Sequence, residues 1–202
     1  MMTLLGAPAS PFVRKVRVLL METGQNDIAM QEVATTPVAT APEVAAANPV
    51  GKIPALIRDD GPTLYDSRVI CRYLDTRAGG RLYPEARLWD TLTLEATAEG
   101  IMEAAVLMVY EARVRPEEMR YQPWLDAQWA KVTRALDALD TRWMSHLYGP
   151  LDMGQVAVGC ALGYLDFRHP DKDWRTGREA LTAWAARFAE RDAMRATMPP
   201  VA

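Results

Sequence analysis

The sequence predicts a small α/β domain ordered βαβ-α-ββα over residues 1–78, a linker at 79–85, and an all-α domain over residues 86–202. Three observations carry that prediction. Up to Arg77, short apolar runs alternate with segments of helical period. After Gly79-Gly80, every periodic segment has helical spacing. Between them, the turn Asn48-Pro49-Val50-Gly51-Lys52-Ile53-Pro54 delivers the chain into an apolar strand at Ala55.

Thr3-Leu4-Leu5 is a short strand. Residues 11–23 form a helix, because Val13, Val16, Leu19 and Leu20 recur at helical spacing and Gly24 ends the run. Ile28 to Val33 reads as a strand of imperfect alternation, and Pro42 to Ala47 as a short helix stopped by Asn48-Pro49. Ala55 to Arg58 and Thr63 to Tyr65 are the arms of a hairpin around Asp59-Asp60-Gly61-Pro62. Ser67 to Arg77 is a helix carrying Val69, Ile70, Tyr73 and Leu74. A right-handed βαβ crossover followed by a hairpin gives a mixed four-strand sheet.

In the second domain, residues 86–113 read as one helix of roughly 42 Å at about 1.5 Å per residue. Pro116 and Pro123 bracket the next connection. Trp124 to Leu147 is a single helix with Leu125, Trp129, Val132, Leu136, Leu139 and Trp143 on one face. Met153 to Phe167 is apolar nearly all round and is expected to be the central buried helix. Arg178 to Ala189 turns Leu181, Trp184 and Phe188 inward.

Composition excludes several classes. A net charge of −3 gives no electrostatic case for nucleic acid, and the short basic run Arg14-Lys15-Val16-Arg17 reads as a solvated helix face. The start of the chain lacks a charged segment followed by a long apolar one, so no signal peptide is expected. No apolar run reaches the ~18 residues of a membrane span. Cys71 and Cys160 lie in apolar helical patterns and read as buried reduced thiols, which fits a cytosolic protein. His146 and His169 share no ligand spacing with the cysteines, so no metal site is expected. No G-x-S-x-G, G-x-G-x-x-G or phosphate-binding loop occurs.

Three short motifs remain. Ser10-Pro11 opens the first helix in the pattern of an N-cap and N1 proline. Pro54 cannot donate to a ladder, so it belongs at a strand's first residue or edge, and the Ile53–Pro54 bond is expected to be cis. That leaves the main chain of Ile53 facing outward, where an extended peptide can pair with it. Asp66-Ser67 opens the next helix as an N-cap pair. In the second domain, Asp152 and Gln155 have the spacing of a capping box, a structural feature.

With Ser10-Pro11-Phe12, the Gly51-to-Pro54 turn and Asp66-Ser67 in this order, the whole chain resembles the soluble glutathione S-transferases. It looks most like a bacterial branch with Ser-Pro-Phe after the first strand. The segment Cys160-Ala161-Leu162-Gly163-Tyr164-Leu165-Asp166-Phe167-Arg168 is similar to the sixth helix of that branch. The resemblance implies a thioredoxin-like first domain and glutathione as co-substrate. It also implies a homodimer, which with the composition reading above is expected in the cytoplasm with no metal, nucleic-acid or membrane partner.

On that resemblance, Ser10 meets the glutathione sulfur as the catalytic residue, and Phe12 lies beside it. Ile53 and Pro54 present the main chain to the cysteinyl part. Lys52 faces either the glycine carboxylate or solvent. Asp66 takes the γ-glutamyl ammonium and Ser67 its carboxylate, where many relatives carry Glu-Ser. Met102, Val106 and Tyr110 either line the second-substrate pocket or pack the core, and Tyr110 and Arg113 are the polar candidates for orienting that substrate.

The energetics are feasible. A thiol of pKa about 8.5 needs ~2.7 kcal/mol to drop by about two units. One charge-assisted hydrogen bond of about 1.5–3 kcal/mol plus about 0.3–1 kcal/mol from a helix terminus suffices. The implied activity is attack of the thiolate on a hydrophobic electrophile or peroxide. A non-catalytic glutathione-binding or interaction module is the alternative. A glutaredoxin-like thioltransferase is disfavoured, because a serine hydroxyl cannot form a mixed disulfide.

Overall fold

The computed structural model describes residues 2–200. It divides into two compact units. One runs up to Pro84 and takes in the stretch from Asp192; the other is Glu85–Arg191. The sequence reading carried the helical domain on to residue 202, whereas the structure groups the final stretch with the first unit.

In the first unit, β1 (Thr3–Gly6), α1 (Pro11–Glu22), β2 (Ala29–Glu32), α2 (Pro42–Ala47), β3 (Ala55–Ile57) and α3 (Ser67–Arg77) follow one another. The central strand β1 pairs in parallel with β2 (Thr3 with Ala29, Gly6 with Glu32) and antiparallel with β3 (Thr3 with Ile57, Leu5 with Ala55). Among the described residues the sheet has three strands in the order β2-β1-β3. The expected fourth strand at Thr63 to Tyr65 reduces to one antiparallel bridge, in which Leu56 and Leu64 exchange both main-chain hydrogen bonds at 2.9 Å. Pro62 on one side has no N–H for a ladder. On the other, Asp66 already caps α3. The segment has no length left to extend.

Helix α1 buries Val13, Val16 and Leu19. It comes close to the sheet at Gly6, where a Cβ would stand 2.7 Å from a Val13 methyl carbon. The basic run on this helix is not the solvated face the sequence suggested: Arg14 and Lys15 are 6% and 0% exposed. Arg14 is covered by the last described helix, α9 (Asp192–Ala196), which packs against α1. Arg14 donates to the Met194 carbonyl at 3.0 Å and to Thr197 Oγ1 at 3.5 Å.

The second unit holds α4 (Leu88–Val114), α5 (Gln122–Arg142), α6 (Met144–Leu147), α7 (Met153–Arg168) and α8 (Glu179–Ala189). Helix α7 is the buried centre, as its all-round apolar sequence requires, and packs mainly on α4. The segment expected as one helix from Trp124 to Leu147 is two, broken at Trp143. The break leaves the carbonyls of His146, Leu147 and Gly149 facing Gln155, whose Nε2 donates to all three at 3.1 Å. The capping box at the start of α7 is complete: Asp152 Oδ1 accepts the Gln155 N–H at 3.2 Å, and Gln155 Oε1 accepts the Asp152 N–H at 3.1 Å. Cys71 and Cys160 are buried and form no disulfide. Among the described residues no helix is long and apolar enough to cross a membrane, and no group of three potential metal ligands occurs.

Candidate active site

The sheet register gathers the sequence motifs of the first unit at one edge. Helix α1 starts just beyond the end of β1. Because β3 is antiparallel to β1, with Leu5 opposite Ala55, Ile53 and Pro54 enter the sheet at that same end. The Leu56–Leu64 bridge reverses the chain once more, so α3 also begins there. Three segments distant in sequence thus bring Ser10, Ile53 and Asp66-Ser67 to one rim.

Ser10 has extended backbone (φ −82°, ψ 125°) and caps α1, its Oγ accepting the Val13 N–H at 3.4 Å. A hydroxyl that accepts still has one proton to donate. Among the described residues that proton has no acceptor. Capping and donation to a thiolate are therefore compatible in one side chain. Phe12 lies on the first turn of the same helix, half-buried.

The 48–54 turn is built by its own side chains. Asn48 Oδ1 accepts the Val50 N–H at 3.0 Å, and Asn48 Nδ2 donates to the Lys52 carbonyl at 2.8 Å. Gly51 has φ 68°, and a Cβ there would also meet Thr40 at 3.0 Å. The Ile53–Pro54 bond is cis, as expected, and so is Tyr65–Asp66. The N–H and carbonyl of Ile53 have no hydrogen-bond partner among the described residues. Pro54 is buried, Ile53 half-buried, and the Lys52 side chain exposed.

Asp66 caps α3, Oδ1 accepting the Arg68 N–H at 3.0 Å and Oδ2 the Arg68 guanidinium at 2.9 and 3.3 Å. Burial acts to raise its pKa. The Arg68 side-chain hydrogen bonds and charge, the Arg68 N–H and the charge of Lys15 outweigh that and hold it below the ordinary carboxylate value. Ser67 is buried at the first turn of α3. Sequence reading missed Arg68 and Lys15 as neighbours of this carboxylate. Arg68 two residues past a capping Asp was a visible signal. Lys15 was not, because its burial depends on tertiary packing.

In the second unit, Met102, Val106 and Tyr110 recur every fourth residue along α4. Met102 is fully buried, whereas Val106 and Tyr110 are half-buried. Tyr110 is joined by Tyr164 of α7, whose phenol is pushed up to about 12 by burial, with the charges of Arg168 and Arg113 opposing and Tyr110 adding to the rise. Tyr164 and Arg168 are one helical turn apart on α7 and were not singled out as site residues.

Residues 4–82 match the model for the glutathione S-transferase N-terminal domain, and residues 122–187 the model for the C-terminal domain. The chain is 31% identical over 206 residues, with full coverage of both chains, to the uncharacterized GST-like protein YibF of Escherichia coli strain K12. A glutathione transferase family member from Pseudomonas fluorescens Pf-5, solved with bound glutathione, is 48% identical with a TM-score of 0.97 over the whole of both chains. A structure from the same organism with bound S-(propanoic acid)-glutathione is 47% identical, with a TM-score of 0.92 over 99% of this chain and 100% of that one. This chain belongs to the glutathione S-transferase family.

Proposed function

We propose that the protein is a glutathione transferase that activates the thiol of glutathione for attack on a hydrophobic electrophile or peroxide. The observation that carries the proposal is the Ser10 hydroxyl, seated at the N-terminus of α1 with its proton uncommitted among the described residues. In this reading Ser10 donates to the thiolate, and the partial positive charge of the helix terminus adds to the effect. The Ile53 N–H and carbonyl pair with the cysteinyl main chain as one more strand-like partner. Asp66 takes the γ-glutamyl ammonium, and Ser67 with the α3 N-terminus takes its carboxylate. Lys52 answers the glycine carboxylate, Phe12 flanks the sulfur, and Pro54 holds the Ile53 edge in place.

In an aromatic substitution the sulfur forms a bond to the ring carbon, the carbon–chlorine bond breaks, chloride leaves with the electron pair, and the thiol proton passes to solvent. The second substrate lies on the α4 face of Val106 and Tyr110, with Met102 packed beneath them. The Pseudomonas fluorescens relatives, solved with bound glutathione and with bound S-(propanoic acid)-glutathione, support binding of the tripeptide and of an S-substituted form of it. The working form proposed is a cytoplasmic homodimer. Conjugation of glutathione to a chloronitroarene, wild type against Ser10→Ala, tests the proposal. A fall of about a hundredfold with Ser10→Ala supports it, scaled to the range for general acid–base groups. Equal rates remove Ser10 from the mechanism. Retention on immobilised glutathione without turnover of any electrophile assigns the chain to a non-catalytic binding role.

A further inference from the structure

Helix α1 carries its charges in the reverse of the order that suits a helix. Its first turn holds no acid and its last turn no base; Arg14, Lys15 and Arg17 lie toward the N-terminus, and Glu22 ends it. A helix start favours anions and a helix end favours cations, so this order is destabilising unless something negative sits at the start. Arg14 is the sharpest case. It is 6% exposed, and its guanidinium is held by neutral groups, the Met194 carbonyl at 3.0 Å and Thr197 Oγ1 at 3.5 Å. No carboxylate pairs with it among the described residues.

The acids on the neighbouring elements have other partners. On α9, Asp192 is exposed and bound to Arg195 at 2.5 Å. On α3, Asp66 is bound to Arg68, and Asp75 accepts the Leu82 and Tyr83 N–H groups. On β2, Glu32 acts on Arg17, which the charge of Arg14 repels. The Lys15 charge acts on Asp66. The main-chain N–H of Arg14 donates to the Ser10 carbonyl at 3.0 Å, so Arg14 stands one helical turn beyond the hydroxyl. A charge withdrawn from water with neutral partners is felt further than one in solvent, because little dielectric intervenes.

We infer that Arg14 is a positioning residue for negative charge at the sulfur. Pinned by the C-terminal turn, its guanidinium adds to the positive field at the start of α1 and favours the anionic form of the group that reaches Ser10. It acts through the helix terminus rather than by contact with the sulfur. The inference rests on the glutathione site proposed above.

Calorimetry at neutral pH with two ligands tests it without turnover. Glutathione sulfonate carries a fixed negative charge where the sulfur stands; S-methylglutathione is neutral there. The ratio of the two affinities isolates the charge, because the rest of the tripeptide is common. Wild type should prefer the sulfonate. R14Q should lower that preference by about fivefold, and R14K should keep it within about twofold. T197V, which loses a hydroxyl contact and keeps the charge, should leave it unmoved. A merely structural role weakens both ligands together. An equal ratio in wild type and R14Q, or a wild type without preference, therefore overturns the inference. Circular dichroism checks folding, and R14M, apolar and of similar length, replaces R14Q if the glutamine variant is unfolded. In the glutathione complex, the R14Q thiol should titrate about 0.7 units above wild type with Ser10 in place. An unmoved thiol overturns the inference as well. A wild type that prefers the sulfonate and turns over no electrophile keeps this inference and sinks the transferase reading. A wild type that binds neither ligand overturns both.

Discussion

The Ser10 hydroxyl oxygen accepts the Val13 N–H at 3.4 Å, so one side chain both starts α1 and keeps a proton available at the rim where β1 ends. That bond is long for a cap. Ser10→Ala should therefore cost only about 0.5–1 kcal/mol of stability, the low end for losing an N-cap serine. Urea unfolding of the variant measures it. A small stability loss beside a large activity loss separates the two roles of the side chain; a loss of several kcal/mol would make the activity comparison uninterpretable as chemistry.

Asp66 is held below its ordinary pKa by Arg68 and Lys15, although partial desolvation acts to raise it. A depressed carboxylate stays charged above its unfolded pKa of about 3.9 and gives up that contribution only as pH falls through the lower folded value. Asp66 should accordingly contribute no pH dependence to glutathione affinity between neutrality and pH ~5. Asp66→Asn should weaken binding by about tenfold, the loss of one charge-assisted contact. Calorimetric titration of both proteins across that range checks both statements.

Gln155 donates to the carbonyls of His146, Leu147 and Gly149 while its oxygen closes the capping box on Asp152. A glutamate keeps the capping oxygen but turns an acceptor onto those carbonyls, beside the buried Asp152 carboxylate. The His146 carbonyl keeps the Gly149 N–H and the Leu147 carbonyl keeps Trp184 Nε1, so Gln155→Glu strips its donor from the Gly149 carbonyl and should destabilise the protein by about 1–3 kcal/mol at neutral pH. Denaturant midpoints measure it. No change would mean that water serves the Gly149 carbonyl instead.

His169 is buried, and its Nε2 donates to the Ala105 carbonyl at 3.0 Å. Burial is the largest influence and lowers its pKa, with the Ala105 contact and Asp171 opposing. The folded state thus takes up the proton later than the unfolded chain, whose imidazole titrates near ~6.5. Stability is full above that value and declines as pH falls below it. His169→Gln should flatten the decline below pH ~6.5, read from thermal midpoints against pH.

The local chemistry of this fold was legible in the chain. Pro54 stops a ladder wherever it stands, Ser10-Pro11 starts a helix, and Asp152 with Gln155 has the spacing of a reciprocal cap. Each is decided by residues within a few positions of one another. What was not legible depends on packing between distant segments. Arg14 looks solvated until α9 covers it, Lys15 is buried by packing that the local sequence does not show, and Thr63 to Tyr65 has strand composition but is squeezed between Pro62 and the cap of α3. The same holds along α4. Helical period aligns Met102 with Tyr110, yet only the packing of α7 puts Met102 in the core, and only the fold brings Arg168 beside Arg113.

The most direct test is the titration of the glutathione thiol in the binary complex, followed by the ultraviolet absorbance of the thiolate. Bound to wild type, the thiol should titrate about two units below its free value of about 8.5, and bound to Ser10→Ala it should return most of the way to it. A thiol that titrates at its free value in the wild-type complex, or at the same lowered value in both proteins, contradicts the role assigned to Ser10.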